Sequence, residues 1–215
     1  MTSDPAPPPL FDPAFRDSLA HLFRWRRDVR HFRGDPVPDA LLEDLLATAS
    51  LAPSVGLSQP WHFVTVDDAT RRARVRDAFI TANRSALAAQ APDRADLYAR
   101  LKLAGLDEAP CHLTIFVEDD PAQGHGLGRR TMPETVVFSA VMAVHTLWLA
   151  ARATGLGLGW VSILDPDAVR DILDVPPAWR LIGYLCLGYP AEENDTPELE
   201  RAGWEQRRPA ERLRR

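Results

Sequence analysis

The stretch from Thr135 to Ala151, TVVFSAVMAVHTLWLAA, constrains the fold more than any other part of the chain. Its apolar side chains fall on nearly every side of a helix, so the helix must be covered all round. It is short for a membrane span, carries Ser139, His145 and Thr146, and ends against Arg152, which points to a buried helix. Thr131-Met132-Pro133-Glu134 has capping-box spacing, with Thr131 as N-cap, and Gly155 is placed to end the helix in a left-handed cap. In a chain of 215 residues, one way to cover such a helix is to pair it with a second copy.

The rest of the chain supplies material to pack around it. Phe15, Leu19, Leu22 and Phe23 recur at helical spacing between Asp12 and Arg27. Leu41, Leu42, Leu45, Leu46 and Ala49 share one face of a helix that begins at Asp39 and is closed by Pro53. An Ala- and Arg-rich helix is expected from Asp68 to Ala91, and Asp165-Pro166-Asp167 caps a short one reaching Leu173. Strands are expected at Trp61–Val66, Leu113–Val117, within Leu156–Leu164, and at Leu181–Leu187. Residues 92–110 have weak periodicity between firm elements, the place for a mobile lid. Helices alternating with short strands give an α+β or α/β layered domain. Residues 1–11 are a Pro-rich extension, 12–206 the domain and 207–215 a charged tail.

A net charge of −5 and a pI near 5.7 argue against nucleic acid as a general partner. Basic charge is concentrated instead, above all in Arg26-Arg27-Asp28-Val29-Arg30. Three guanidinium forks around one carboxylate suit a phosphorylated small ligand, although such a run also fits a solvated helix end. Pro53 to Phe63, PSVGLSQPWHF, offers small hydroxyls and a glycine before an aromatic strand, a loop that lets backbone approach a flat ligand. Gly155-Leu156-Gly157-Leu158-Gly159 follows a helix, the wrong context for a dinucleotide fingerprint. It can end a helix and turn the chain, or admit a planar ring. Cys111 and Cys186 sit in apolar runs and read as buried reduced thiols. No metal-ligand array is present, and His62, His112 and His145 read as packing residues, with Trp61 and Trp160 as core or site walls. The N-terminus lacks a signal peptide's basic and apolar regions, so a soluble, cytoplasmic protein is expected.

RRDVRHF followed by APSVGLSQPWHF resembles the opening of the nitroreductase-like flavoproteins. The likeness extends from about Arg26 to Trp204. Asp28 after paired arginines, together with GWVSILD at Gly159–Asp165, is similar to the 5,6-dimethylbenzimidazole synthase branch of that family. The resemblance implies a mostly antiparallel sheet between helices, in an intertwined homodimer with FMN at the interface. It implies phosphate and ribityl contacts from Arg26, Arg27, Val29 and Arg30, and flavin contacts from Ser54 and Ser58 of the partner chain. Leu158, Gly159 and Ser162 would face the ring, and Arg201 would reach the phosphate. For the synthase branch it implies that reduced FMN, supplied by a separate flavin reductase, is the substrate. O2 fragments it to 5,6-dimethylbenzimidazole, the lower ligand of vitamin B12, and erythrose 4-phosphate. Asp28 would transfer the proton and Ser162 would assist. The plainer readings remain open at this stage: Asp28 as an arginine partner kept ionised, and Ser162 as a strand-end cap. So do a nicotinamide-driven nitroreductase or flavin reductase and a non-catalytic FMN-binding dimer.

Overall fold

The computed structural model describes residues 8–214. The expected Pro-rich extension therefore falls mostly outside the described residues. Seven α-helices occur in chain order: α1 (Pro13–Trp25), α2 (Asp39–Ala49), α3 (Ala69–Ala88), α4 (Pro92–Arg100), α5 (Thr135–Ala153), α6 (Pro166–Leu173) and α7 (Glu198–Arg201). Four strands, β1 (Trp61–Thr65), β2 (Cys111–Glu118), β3 (Gly157–Val161) and β4 (Trp179–Gly188), form one antiparallel sheet ordered β1-β2-β4-β3. The expected strands are all present, and the class is α+β.

β2 and β4 are central and send alternate side chains to opposite faces. Leu113, Ile115, Val117, Leu185 and Leu187 join one core with α2 and α5. Phe116, Tyr184 and Cys186 join a second with Val75 of α3 and Val169 and Ile172 of α6. Cys111 lies in the first core and Cys186 in the second, so the sheet separates them. Burial pushes their thiols up to about 11 and about 12, which leaves both protonated. His112 is 2% exposed, and its Nδ1 lies 2.8 Å from the buried Tyr184 hydroxyl. His62 stacks on Trp179 at 3.8 Å, whereas His145 lies on an open face of α5 and does not pack inside as expected.

α5 is long and apolar enough to cross a membrane, yet it lies against the sheet and α2 with Val136, Ala140, Ala143, Val144, Leu147 and Ala151 in the core. Its covering is incomplete. Phe138 (54% exposed), Val141, Met142 (42%) and His145 form a stripe at i, i+3, i+4 and i+7 that the described residues leave open. Gly155 does end the helix at φ +80°, with its N–H on Arg152 O (3.1 Å) and the Leu156 N–H on Ala151 O (2.9 Å), a Schellman pair. The capping box does not form. Thr131 lies instead in a preceding turn, its hydroxyl donating to Gly128 O at 3.0 Å, and the helix starts later, behind Glu134, without a side-chain cap.

The stretch 92–110 is better anchored than its periodicity suggests. Tyr98 of α4 is buried, donates to Asn83 Oδ1 at 2.7 Å and meets Trp204 edge-on at 6.0 Å. Leu106 and Ala109 enter the second core, and Gly105 lies so close to Phe32 that a β-carbon there would sit 2.3 Å from the ring. No helix was expected beyond Thr196, yet the chain there includes the short helix α7, which ends in Arg201.

Candidate active site

β3 is the outer strand of the sheet, and an outer strand has unpaired amide and carbonyl groups. The Arg26–Arg30 segment covers that edge. α1 stops at Trp25 because Arg26 turns extended (φ −69°, ψ 113°), and the chain then runs parallel to β3 through a bridge between Asp28 and Leu158. The Val29 N–H donates to Leu158 O at 3.1 Å, and the Trp160 N–H donates to Asp28 Oδ1 at 2.8 Å. This crossing explains the glycines of β3. A β-carbon on Gly159 would lie 2.1 Å from Val29 O, and one on Gly157 would lie 2.7 Å from a Val29 methyl. Their lack of side chains serves the approach of this segment. Leu158 is fully buried in the core, so its side chain is turned away from any ligand at the edge.

Both oxygens of Asp28 are held. Oδ2 accepts from Arg30 Nε at 3.0 Å and lies 2.8 Å from Arg30 Nη2 in an ion pair on that one oxygen. Burial nevertheless pushes the Asp28 carboxyl above its usual range, against Arg30, the Trp160 N–H and Arg26, which all favour the charged form. The arginines were expected to dominate the Asp28 carboxyl; desolvation is the larger effect, and the pKa moves up and not down. Arg30, only 11% exposed, also has Nη1 at 3.9 Å from Glu198, whose other oxygen lies 3.4 Å from His31 Nε2.

The three arginines differ in what they have left to offer. Arg27 donates to the carbonyls of Asp195 (2.8 Å), Arg26 (2.7 Å) and Arg24, so two of its five N–H groups remain. Arg26 has no acceptor among the described residues and lays its guanidinium 4.6 Å over the Trp148 ring. Burial lowers the Arg26 pKa, opposed by Asp28, and Arg207 from the expected tail adds a like charge nearby. Arg27, Asp28, Val29, Arg30 and Arg201 line one cleft of about 390 Å³, together with Asn194, Thr196 and Glu198.

Ser162 is exposed just past the end of β3, two residues beyond Trp160. Ser54 and Ser58 do not join this cleft within one chain. Their loop hangs on α5 through the Val55 N–H, which donates to Ser139 Oγ at 3.0 Å. The arginine segment hangs on the same helix through Trp148, nine residues further on, roughly 13 Å along the axis. Ser54 Oγ accepts from the Gln59 N–H at 3.1 Å, while Ser58 Oγ is buried without a hydrogen-bond partner. Gly56, Leu57 and Gln59 all have positive φ, and Leu57 is exposed at the loop tip. Among the described residues no cluster of three or more His, Cys, Asp or Glu could hold a metal. Sequence reading missed Trp148, Glu198 and the Asp195 carbonyl, whose roles depend on contacts across more than a hundred residues.

The profile of the nitroreductase family matches residues 23–189, which include the arginine segment, the serine loop and all four strands. The chain belongs to the nitroreductase family. As a nitroreductase-family chain it is an enzyme of the oxidoreductase kind. It is 59% identical over 207 residues to the 5,6-dimethylbenzimidazole synthase of Rhodospirillum rubrum, covering 96% of this chain and 98% of that one. A 5,6-dimethylbenzimidazole synthase of Rhodobacter capsulatus is 50% identical, over 95% and 99% of the two chains. Among solved structures, iodotyrosine deiodinase bound to FMN and 3-iodo-L-tyrosine superposes with a TM-score of 0.71 at 24% identity, covering 92% of this chain and 97% of that one.

Proposed function

We propose that the chain is a 5,6-dimethylbenzimidazole synthase, a homodimer that takes reduced FMN and O2 as substrates and releases 5,6-dimethylbenzimidazole and erythrose 4-phosphate. The observation that carries this reading is the Asp28 carboxylate, aimed by the Trp160 N–H and Arg30 inside an arginine-lined cleft. A flavin enzyme that only passes electrons does not need a carboxylate oriented there, whereas breaking the ribityl chain requires proton removal. Identity to the named synthases over nearly the whole chain supports the same reading.

The donor set fits the phosphoribityl end of FMN. The free N–H groups of Arg27, and Arg201, supply charge-assisted donors for a phosphate dianion in the cleft, and Arg26, outside its walls, would add its own from the adjoining side over Trp148. That end would lie in the cleft beside the β3 edge, and the ring would extend towards the exposed Ser162 past the end of β3. When bound, reduced FMN supplies the electrons that activate O2. Asp28 then serves as proton acceptor, help typically worth about 10²–10⁴-fold in rate. Its raised pKa makes it a stronger base than an ordinary surface carboxylate once ionised. The exposed Ser162 hydroxyl would hydrogen-bond the reacting end of the ring. The open stripe Phe138–Val141–Met142–His145 supports a second copy as the missing cover of α5, and that copy would bring its own Ser54–Ser58 loop to the site. Reduced FMN would come from a separate flavin reductase.

Asp28→Asn tests the assignment. The variant should bind FMN and consume O2 with reduced FMN, yet form no dimethylbenzimidazole. Product at the parent rate removes Asp28 from the chemistry, and turnover driven by a nicotinamide with intact flavin favours a recycling reductase.

A further inference from the structure

We infer that Trp148 is a positioning residue that sets the arginine segment for phosphate and so determines the preference for FMN over riboflavin. The inference rests on the reading that this cleft holds the phosphate of FMN. One indole reaches both Arg26 and Arg27. Its Nε1–H donates to Arg27 O at 3.1 Å, and its face lies 4.6 Å beneath the Arg26 guanidinium. Its neighbour is the Trp160 ring at 6.3 Å, and Trp160 holds Asp28 Oδ1 with its own N–H at 2.8 Å.

Each contact has a separate consequence. The segment leaves α1 at Arg26 and meets β3 at Asp28, so Arg27 O lies between the helix and the strand edge, where Trp148 is its side-chain donor. Without that bond a half-buried carbonyl loses its partner and the spacing between Arg26 and Arg27 is freed. The stack on Arg26 uses the face of the guanidinium. All five in-plane N–H groups therefore stay available while the plane itself is fixed. Trp148 itself comes from α5, the helix that also hooks the serine loop at Ser139, so the indole ties the arginines to a helix packed into the first core.

Trp148→Phe retains a ring under Arg26 and removes only the donor. FMN should bind about three- to tenfold more weakly, the range expected from one hydrogen bond, while riboflavin, which lacks the phosphate, should change less than about twofold. In an Arg26→Ala/Arg27→Ala background the same substitution should add less than about twofold for FMN, because the groups it positions are gone. Equal weakening of FMN and riboflavin, or full additivity with the arginine substitutions, would reduce Trp148 to general packing and overturn the inference. So would unchanged FMN affinity. If Trp148→Phe does not fold, the parent protein labelled with ¹⁵N-tryptophan decides. The Trp148 indole N–H signal should exchange slowly and shift on adding FMN but not riboflavin; rapid exchange, or the same shift with both, overturns the inference. A parent protein with no preference for FMN over riboflavin refutes the phosphate reading itself, a result distinct from either outcome for Trp148.

Discussion

Replacing Gly159 with alanine probes the junction between the β3 edge and the arginine segment. The new β-carbon would sit 2.1 Å from Val29 O, about 1 Å closer than real contacts allow, and the obstacle is backbone that cannot rotate away. The segment must retreat from β3. Doing so breaks the Val29 N–H to Leu158 O bond (3.1 Å) and the Trp160 N–H to Asp28 Oδ1 bond (2.8 Å). The first is worth about 0.5–1.5 kcal/mol and the second, to a charged acceptor, about 1.5–3, so a loss of about 2–4 kcal/mol is expected. Two neighbouring glycines calibrate the result. Gly157→Ala meets only a Val29 methyl at 2.7 Å, which a rotamer change can relieve. Gly155→Ala meets nothing within 4 Å and costs about 1 kcal/mol through its φ of +80° alone. Urea denaturation should therefore rank Gly159→Ala as the most destabilised, and FMN titration should show at least about tenfold weaker binding for it alone. A Gly159→Ala protein with parental stability and FMN affinity would refute the described crossing.

Three further outcomes follow from the same structure. The acid limb of product formation should lie above the ordinary Asp value of 3.8 and move higher in Arg30→Met, which removes the charge opposing desolvation; a limb unchanged by Arg30→Met detaches it from Asp28. His112, its pKa lowered from 6.5 to about 4 by burial, stabilises the fold fully above pH 6.5 and progressively less as pH falls to about 4, by roughly 3 kcal/mol in total. Denaturation midpoints across that window should lose this dependence in His112→Leu/Tyr184→Phe, and an identical slope in that variant removes His112 as its source. Phe138→Glu with Met142→Glu places charges on the open stripe of α5 and should give a monomer in sedimentation that binds FMN poorly. A folded monomer that binds FMN like the parent would contradict a shared site.

What the sequence conveyed was local. The arginine segment was legible because its chemistry sits within five consecutive residues, and the Gly155 stop because a helix end is a short-range event. The apolar character of α5 announced a helix covered on every side, and the described residues cover all of it but the Phe138–Val141–Met142–His145 stripe. Which face stayed open depended on where α2 and the sheet landed. Thr131 failed as a cap because the helix begins at Thr135 and Thr131 lies in the turn before it, a shift that motif spacing does not reveal. The glycines of β3 suggested close approach by a flat ligand; the approaching group is the protein's own Val29 backbone. Asp28 was read as held ionised because charge is written in sequence and desolvation is not. Trp148 lies 121 residues from the carbonyl it holds, and Glu198 is still further from Arg30 along the chain, so neither left a local signal.

The central claim is that reduced FMN is consumed and not recycled. Stoichiometric reduced FMN mixed with the protein in air, followed by chromatographic mass balance, tests it directly. The account predicts that flavin disappears with one equivalent each of 5,6-dimethylbenzimidazole and erythrose 4-phosphate formed per FMN lost. Quantitative recovery of intact oxidised FMN would contradict it.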